Sequence, residues 1–156
     1  MVLLTRRPEH LQGDHVHMNM IIADVIRRHP SEIYLQIHAT SPFVQQSSFD
    51  AGYVQMMQEG MDSTFATTEI QSRASFGGSP VNFSARSSVC SQDTPPITVE
   101  NSGFYFFTRE AFLKYGARIC GENGEVPLKP WEAIDIDTES DWRMAEAWAD
   151  YTRGQI

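Results

Sequence analysis

Hydrophobic residues recur along this chain with two different periods, which predict helices and strands in alternation. Apolar side chains stand at helical spacing over residues 18–29, and Pro30 ends that helix. Further helices are predicted over residues 48–59, 109–115 and 141–153, with Gly60 and Gly116 closing the first two. Strands are predicted over residues 32–39, 63–71, 104–107 and 133–137. This alternation predicts an α/β fold with a mainly parallel sheet.

Residues 73–99 differ in composition from the rest of the chain. Gly77, Gly78, Pro80 and the pair Pro95-Pro96 stand among many serines, and no helical period is visible. This composition predicts a hairpin with a long extended arm. A stretch of this length without a helix is unusual inside a compact domain, so we expect the arm to reach toward a partner.

Composition places the chain among globular proteins. Its 156 residues suit one domain, residues 1–156, and its hydrophobic and charged fractions of 41% and 21% are ordinary. The formal net charge of −8 argues against a non-specific nucleic-acid surface. Cys90 and Cys120 form no CxxC pair, which predicts reduced thiols in the cytoplasm. No apolar run approaches the ~20 residues that span a bilayer, so we expect no membrane partner.

Two carboxylates, Asp135 and Asp137, alternate with Ile134 and Ile136. In an extended backbone residues two apart project to the same face, and paired carboxylates repel unless a cation lies between them. Mg²⁺ suits such a pair, because it takes oxygen ligands and leaves room for substrate phosphates. The same stretch also reads as a simple helix start, in which Thr138 is the cap and the acidic residue three positions later completes a capping box. The pattern leaves both interpretations open.

Other candidate binding residues follow or precede predicted elements. His38 stands at a strand end beside the hydroxyls of Thr40 and Ser41, where α/β sheets bind ligands. This group suits hydrogen bonding to a polyhydroxylated or anionic ligand, although a histidine satisfied beneath a loop fits equally well. Arg7 either binds a phosphate or carboxylate or is a solvated arginine without a ligand. Gln92 precedes the Pro-Pro pair, and Glu100 and Ser102 precede the aromatic strand; these polar groups are either ligand contacts or turn residues.

Six segments occur in an order typical of one enzyme family: RPEHL followed by Asp14, LQIHATSPF, DSTFATTEI, SPVNF, SQDTPPITVENSGFYFF and AIDIDTESDWRMAE. Together they resemble the acylneuraminate cytidylyltransferase family, which includes CMP-sialic acid synthetases and the related CMP-Kdo synthetases. The resemblance covers nearly the whole chain. It implies a partial Rossmann-like nucleotidyltransferase sheet, with an extended antiparallel dimerisation arm at residues 73–107 and a homodimer.

The family transfers CMP from CTP to the anomeric hydroxyl of an acidic sugar and releases pyrophosphate. The resemblance implies that Asp135 and Asp137 are the catalytic carboxylates that bind Mg²⁺, that Arg7 lies at the nucleotide pocket, and that His38 meets the sugar acid. Tyr105 and Phe106 fall in the aromatic part of the arm. The expected substrate contacts are Arg7, His38, Thr40, Ser41, Gln92, Tyr105 and Phe106.

One departure from the family is large. Family members begin with a loop of the type R-x-P-x-K-N that grips the CTP phosphates, and no such segment occurs in this sequence. We therefore expect little or no transferase activity from this chain alone. We expect it to be a fragment, one half of a split enzyme, or a non-catalytic paralogue that binds the sugar acid or dimerises with an intact synthetase. The sequence does not name the sugar acid.

Overall fold

A four-stranded mixed sheet organises the computed structural model, which describes residues 2–84, 86 and 90–154. The described strands are β1 (Ile33–Ile37), β2 (Ser63–Ile70), β3 (Ser75–Phe76), β4 (Ser79–Pro80), β5 (Ile97–Thr108) and β6 (Asn123–Pro127). The sheet order is β1-β5-β2-β6, in which β5 is antiparallel to both neighbours and β2 is parallel to β6. The α/β class is confirmed, whereas the prediction of a mainly parallel sheet is wrong.

The four predicted helices are all present. They are α1 (Met18–Arg28), α2 (Gln46–Glu59), α3 (Arg109–Tyr115) and α4 (Glu139–Arg153). Gly60 and Gly116 end α2 and α3 with φ of 70° and 71°, a left-handed conformation that glycine adopts without steric cost. Within the described residues, no helix has the length and apolarity needed to cross a bilayer.

Strand β5 separates two hydrophobic cores. Its side chains alternate between faces, so Tyr105 and Phe107 pack beneath α1 and α3, whereas Phe104 and Phe106 pack against α2. The α1 face also buries Ile22, Ile26, Phe65 and Phe112, and the α2 face buries Met56, Ala66, Val126 and Leu128. Neighbours along β5 therefore serve different layers of the fold.

The predicted strand at residues 133–137 is wrong, because this segment joins no sheet. A turn directs the amides of Glu132 and Ala133 to the carbonyl of Lys129, at 2.9 and 3.2 Å. The following irregular segment is bonded to the end of β1 through the amide of Ile136, which donates to the carbonyl of Thr40 at 2.9 Å. The strand that pairs with the outer side of β2 is β6, which was not predicted from the sequence. Gly124 of β6 faces Gln55 so closely that an added Cβ would lie 2.6 Å from its side chain. Packing against Gln55 therefore requires glycine at position 124, and the sequence lacks the β-branched residue that would have predicted a strand there.

The first part of the predicted arm contains a short hairpin. Strands β3 and β4 form a small hairpin around Gly77 and Gly78, whose φ values of 56° and 81° suit a two-residue turn. Asn82 ties the hairpin to its base, because its amide donates to the carbonyls of Ser72 and Pro95, both at 2.7 Å. Residues 85 and 87–89 of the predicted arm lie outside the described residues.

Candidate active site

The carboxyl end of β1 turns sharply at residues 38–41. The amide of Ser41 donates to the carbonyl of His38 at 3.2 Å, and the adjacent Pro42 cannot extend the ladder. The carbonyl of Thr40 accepts the Ile136 amide, which draws the acidic segment alongside this turn. The two segments singled out in the sequence, residues 38–41 and 134–137, therefore meet at one end of the sheet.

The Asp135 carboxylate accepts hydrogen bonds from two serine hydroxyls. Its Oδ2 accepts the Ser102 hydroxyl at 2.5 Å, and its Oδ1 accepts the Ser41 hydroxyl at 3.4 Å. Burial acts to raise the pKa of Asp135, but hydrogen bonds from Ser102, Thr40 and Ser41 and the nearby charge of His38 outweigh it, so the pKa lies below its usual value. Asp135 is consequently an ionised group with a defined orientation.

Asp137 is exposed and stands at the start of α4. Thr138 and Asp141 form the predicted capping box: the Thr138 amide donates to Asp141 Oδ2 at 2.8 Å, and the Asp141 amide donates to Thr138 Oγ1 at 3.3 Å. The helix-start interpretation of this segment is thus confirmed. It leaves the Asp137 carboxylate free of the cap, since only the Asp137 backbone amide contacts Asp141, at 3.2 Å.

The donor set at this end of the sheet fits a magnesium ion with few protein ligands. Mg²⁺ commonly binds through one or two carboxylates and completes its shell with water and substrate phosphates. Asp135 and Asp137 are the two carboxylates of the segment that leads into α4. Across residues 2–84, 86 and 90–154 no group of three or more His, Cys, Asp or Glu side chains is arranged to hold a metal ion by itself.

A second polar cluster lies beside the first on the α1 face of the sheet. The Arg118 guanidinium stacks 3.7 Å above the ring of Tyr105 and donates to Gln36 Oε1 at 3.2 Å. The Gln36 amide nitrogen lies 2.8 Å from Nε2 of His38. The Tyr105 hydroxyl donates to Glu100 at 2.7 Å. These contacts connect His38 to residues more than sixty positions away.

Both titratable rings of this cluster have shifted pKa values. Burial and the positive charge of Arg118 lower the pKa of His38, against the opposing pull of Asp135. Burial and the hydrogen bond to Glu100 raise the pKa of Tyr105. At neutral pH the site therefore contains a neutral imidazole, a neutral phenol and the ionised Asp135.

The chain resembles known proteins in both sequence and structure. No protein-family model matches the chain. Two relatives from Danio rerio, N-acylneuraminate cytidylyltransferase A and B, are each 25% identical over 150 residues, covering 90% of this chain and 34% and 35% of theirs. The chain is similar in sequence to these N-acylneuraminate cytidylyltransferases. It spans about a third of the length of the curated relatives it matches.

A solved structure supports the fold of this chain. The structure of CMP:2-keto-3-deoxy-manno-octonic acid synthetase complexed with CTP superposes with a TM-score of 0.61. The superposition covers 89% of this chain and 70% of the other, at 13% sequence identity. This superposition confirms the α/β fold class that the sequence resemblance implied, and the similarity to the two cytidylyltransferases confirms the resemblance itself.

Most of the predicted site residues lie together. Arg7, His38 and Thr40 line one groove of about 440 Å³ beside the edge strand β1, and Ser41 and Asp135 adjoin it through the turn at residues 38–41. Tyr105 lies under this group but is only 1% exposed, so it supports neighbouring side chains and offers no open surface of its own.

Two predicted contacts lie elsewhere. Phe106 points to the opposite face of the sheet and packs on Phe104 and Tyr53 in the α2 core. Gln92 belongs to a 3-10 turn at Ser91–Asp93 in the arm and lines neither the groove that contains His38 nor the cavity that contains Asp135. The structure does not bring either residue to the cluster.

Two residues of the site, Gln36 and Arg118, were missed in the sequence, whereas Glu100 and Ser102 stood out there as polar residues beside the aromatic strand. Gln36 stands two positions before His38, so strand periodicity alone could have placed both on one face. Arg118 follows the end of α3, and its position over Tyr105 depends on how α3 packs on β5. No local pattern signals that contact.

Proposed function

We propose that this chain forms part of a site that transfers CMP from CTP to an acidic, nonulosonic-type sugar and releases pyrophosphate. The supporting observation is the hydrogen-bonded Asp135, held by Ser102 and Ser41 at the carboxyl end of β1. This arrangement occurs in a chain that is similar to proteins named N-acylneuraminate cytidylyltransferases. Asp135 and Asp137 are the residues that hold Mg²⁺ in this proposal.

The role of these residues is to keep negative charge in a fixed place. Mg²⁺, when bound, neutralises phosphate charge that develops during transfer. Ser102 and Ser41 hold the Asp135 carboxylate in its ionised form. The capping box of Thr138 and Asp141 fixes the start of α4 and so keeps Asp137 at the same end of the sheet. The Asp137 carboxylate takes no part in the cap, because only its backbone amide contacts Asp141. Preorganised charge of this kind contributes to catalysis because it requires no rearrangement during the reaction.

The acceptor side of the proposed site is the groove along β1. His38 and Thr40 supply an imidazole and a hydroxyl for hydrogen bonds to a sugar acid, and Arg7 supplies an exposed cation for a carboxylate or phosphate. The apolar side chains of Met18, Ile21 and Leu35 line the remainder of the groove. This mixture of a few polar groups on an apolar wall is typical of small-molecule sites.

Pyrophosphate release tests this proposal directly. The chain is mixed with CTP, Mg²⁺ and a panel containing N-acetylneuraminate and 2-keto-3-deoxy-manno-octonate, alone and together with a full-length synthetase subunit that carries an inactivating substitution. We expect little activity alone and restored activity in the mixture, abolished by Asp137→Ala in this chain. Activity that survives Asp137→Ala would disprove the metal assignment. Binding of a sugar acid without turnover in any mixture would instead support the non-catalytic alternative.

Self-association is the partner arrangement that the arm favours. Phe76 is 84% exposed at the hairpin tip, and Val81 and Ile70 are also exposed nearby. Exposed apolar residues on a projecting hairpin suit contact with a second copy. Light scattering of the purified chain should give a dimer mass that Phe76→Ser converts to a monomer, whereas Leu3→Ser, at another exposed apolar residue, should leave the dimer intact. A monomer in the unsubstituted chain would contradict the homodimer.

A further inference from the structure

The hydrogen bond from Arg118 determines the orientation of the Gln36 amide. An arginine only donates hydrogen bonds, so the Gln36 atom that faces Arg118 Nη1 at 3.2 Å has to be the carbonyl oxygen. The other end of the same amide, its NH₂ group, then faces His38. The usual ambiguity between oxygen and nitrogen in a glutamine side chain is resolved here by chemistry.

The orientation of Gln36 in turn determines the state of His38. The amide nitrogen of Gln36 lies 2.8 Å from Nε2 of His38, and an amide NH₂ only donates. Nε2 therefore accepts, which requires a neutral ring that carries its proton on Nδ1. The ring stands beside Tyr105, with centroids 6.2 Å apart, and lines the groove along β1.

Arg118 is itself held from two further directions. Its guanidinium lies flat on Tyr105 at 3.7 Å, and Glu100 is 3.7 Å from Nη2. Glu100 also accepts the Tyr105 hydroxyl, which fixes the ring beneath the guanidinium. The Arg118 side chain is 21% exposed, so these contacts place it where water screens it only partly. A planar, always-charged group suits this position better than lysine would.

We propose that Arg118 is a positioning residue that acts through Gln36 to lock His38 in its Nδ1-protonated form, so that His38 donates from Nδ1 to an oxygen of the acceptor sugar acid. The tautomer part of this inference stands on the contacts described above. Its ligand part rests on the proposed function. In this scheme Arg118 and Gln36 do not touch the acid, and His38 does.

Nuclear magnetic resonance of ¹⁵N-labelled protein tests the tautomer directly, because the two ring nitrogens of histidine give distinct shifts in each state. In the unsubstituted chain we expect His38 to show a protonated Nδ1 and an unprotonated Nε2. Gln36→Glu replaces the donor with an acceptor and should move the proton onto Nε2. Arg118→Met should leave a mixture of both tautomers, and the exposed Arg143→Met should change nothing. Because Arg118→Met removes a packed side chain, Gln36→Glu provides the independent second test.

The ligand part is tested by titrating N-acetylneuraminate into the same proteins with CDP and Mg²⁺ present, so that no transfer occurs. Loss of one neutral hydrogen bond predicts about 3- to 10-fold weaker binding in Gln36→Glu and Arg118→Met, and unchanged binding in Arg143→Met. A His38 tautomer that is unchanged in both Gln36→Glu and Arg118→Met overturns the relay. Equal affinities in all four proteins overturn the role of His38 in binding. If the unsubstituted chain binds no sugar acid, the proposed function fails, while the tautomer measurement still decides the relay.

Discussion

Ser102 donates its hydroxyl proton to Oδ2 of Asp135 at 2.5 Å, and this contact joins the middle of β5 to the segment that leads into α4. The two residues are 33 positions apart in the chain. The bond orients the Asp135 carboxylate and contributes to its lowered pKa. A hydroxyl on a sheet strand thus orients a carboxylate that lies in irregular backbone.

Replacing Ser102 with alanine should therefore change Asp135 more than replacing Ser41. Ser102→Ala removes the short hydrogen bond, so the pKa of Asp135 should rise and the free energy of unfolding should fall by about 1–2 kcal/mol. Ser41→Ala removes a contact of 3.4 Å and should have a smaller effect on both quantities. Carboxyl ¹³C shifts followed against pH, with urea unfolding at neutral pH, measure the two effects. An unchanged Asp135 titration in Ser102→Ala would contradict this assignment.

Glu132 should be among the most costly charged residues to replace. It is 1% exposed, and its carboxylate accepts the Gln45 amide, the Ser48 hydroxyl and the Lys129 amide, each at 3.0 Å. Gln45 is the N-cap of α2 and makes no cap with its own side chain, so Glu132 caps this helix from a distant loop.

Glu132→Gln keeps the shape of the side chain but turns an amide NH₂ toward a donor. We expect a loss of about 2–3 kcal/mol in the free energy of unfolding, measured by urea denaturation. The control is Glu146→Gln on the exposed face of α4, where the change should stay within about 0.5 kcal/mol. Similar midpoints for both variants would show that Glu132 does not cap α2.

Gly52→Ala should destabilise the protein although alanine is the better helix former. A Cβ at Gly52 would lie 2.9 Å from the ring of Phe104, which is fully buried and cannot move aside. The expected overpacking cost of about 1–3 kcal/mol exceeds the helix-propensity gain of roughly 1 kcal/mol. Gln58→Ala, on the exposed side of the same helix, serves as the matched substitution. Thermal unfolding of both variants measures the difference, and a higher melting temperature for Gly52→Ala would refute this packing argument.

The pH dependence of stability should include a term from His38. Its folded pKa lies below the ordinary value near 6.5, because burial and Arg118 together outweigh Asp135. The unfolded chain thus binds a proton at higher pH than the folded chain. The stabilisation is complete above about pH 6.5 and is lost as the pH falls toward the folded pKa.

Two measurements check this term. Titration of the His38 ring resonances should give a midpoint below 6.5, and Arg118→Met should move that midpoint upward. The free energy of unfolding should fall between about pH 7 and pH 5 less steeply in His38→Gln than in the unsubstituted chain. A His38 midpoint above 6.5 would reverse the sign of the argument.

The helices could be predicted from the sequence because their signals are local. An apolar stripe, a terminal glycine and a capping box each act within a few residues, and the observed bounds of α3 match the prediction at residues 109–115. The sheet was harder to predict. Segment 133–137 has the alternation of a strand but forms no ladder, whereas β6 pairs with β2 through a sequence that contains glycine and proline. Strand pairing depends on a distant partner, which a local pattern does not report.

The sequence by itself determined the α/β class, the four helices and the family resemblance, and it predicted His38, Thr40, Ser41 and Asp135 as candidate site residues. Only the tertiary structure decided that Phe106 belongs to the opposite core and that Ser102, Gln36 and Arg118 complete the cluster. The physical reason is the two-residue period of β5, which sends Tyr105 and Phe106 to different faces. Arg118 reaches Tyr105 only because α3 packs on that same face, so its role arises from packing.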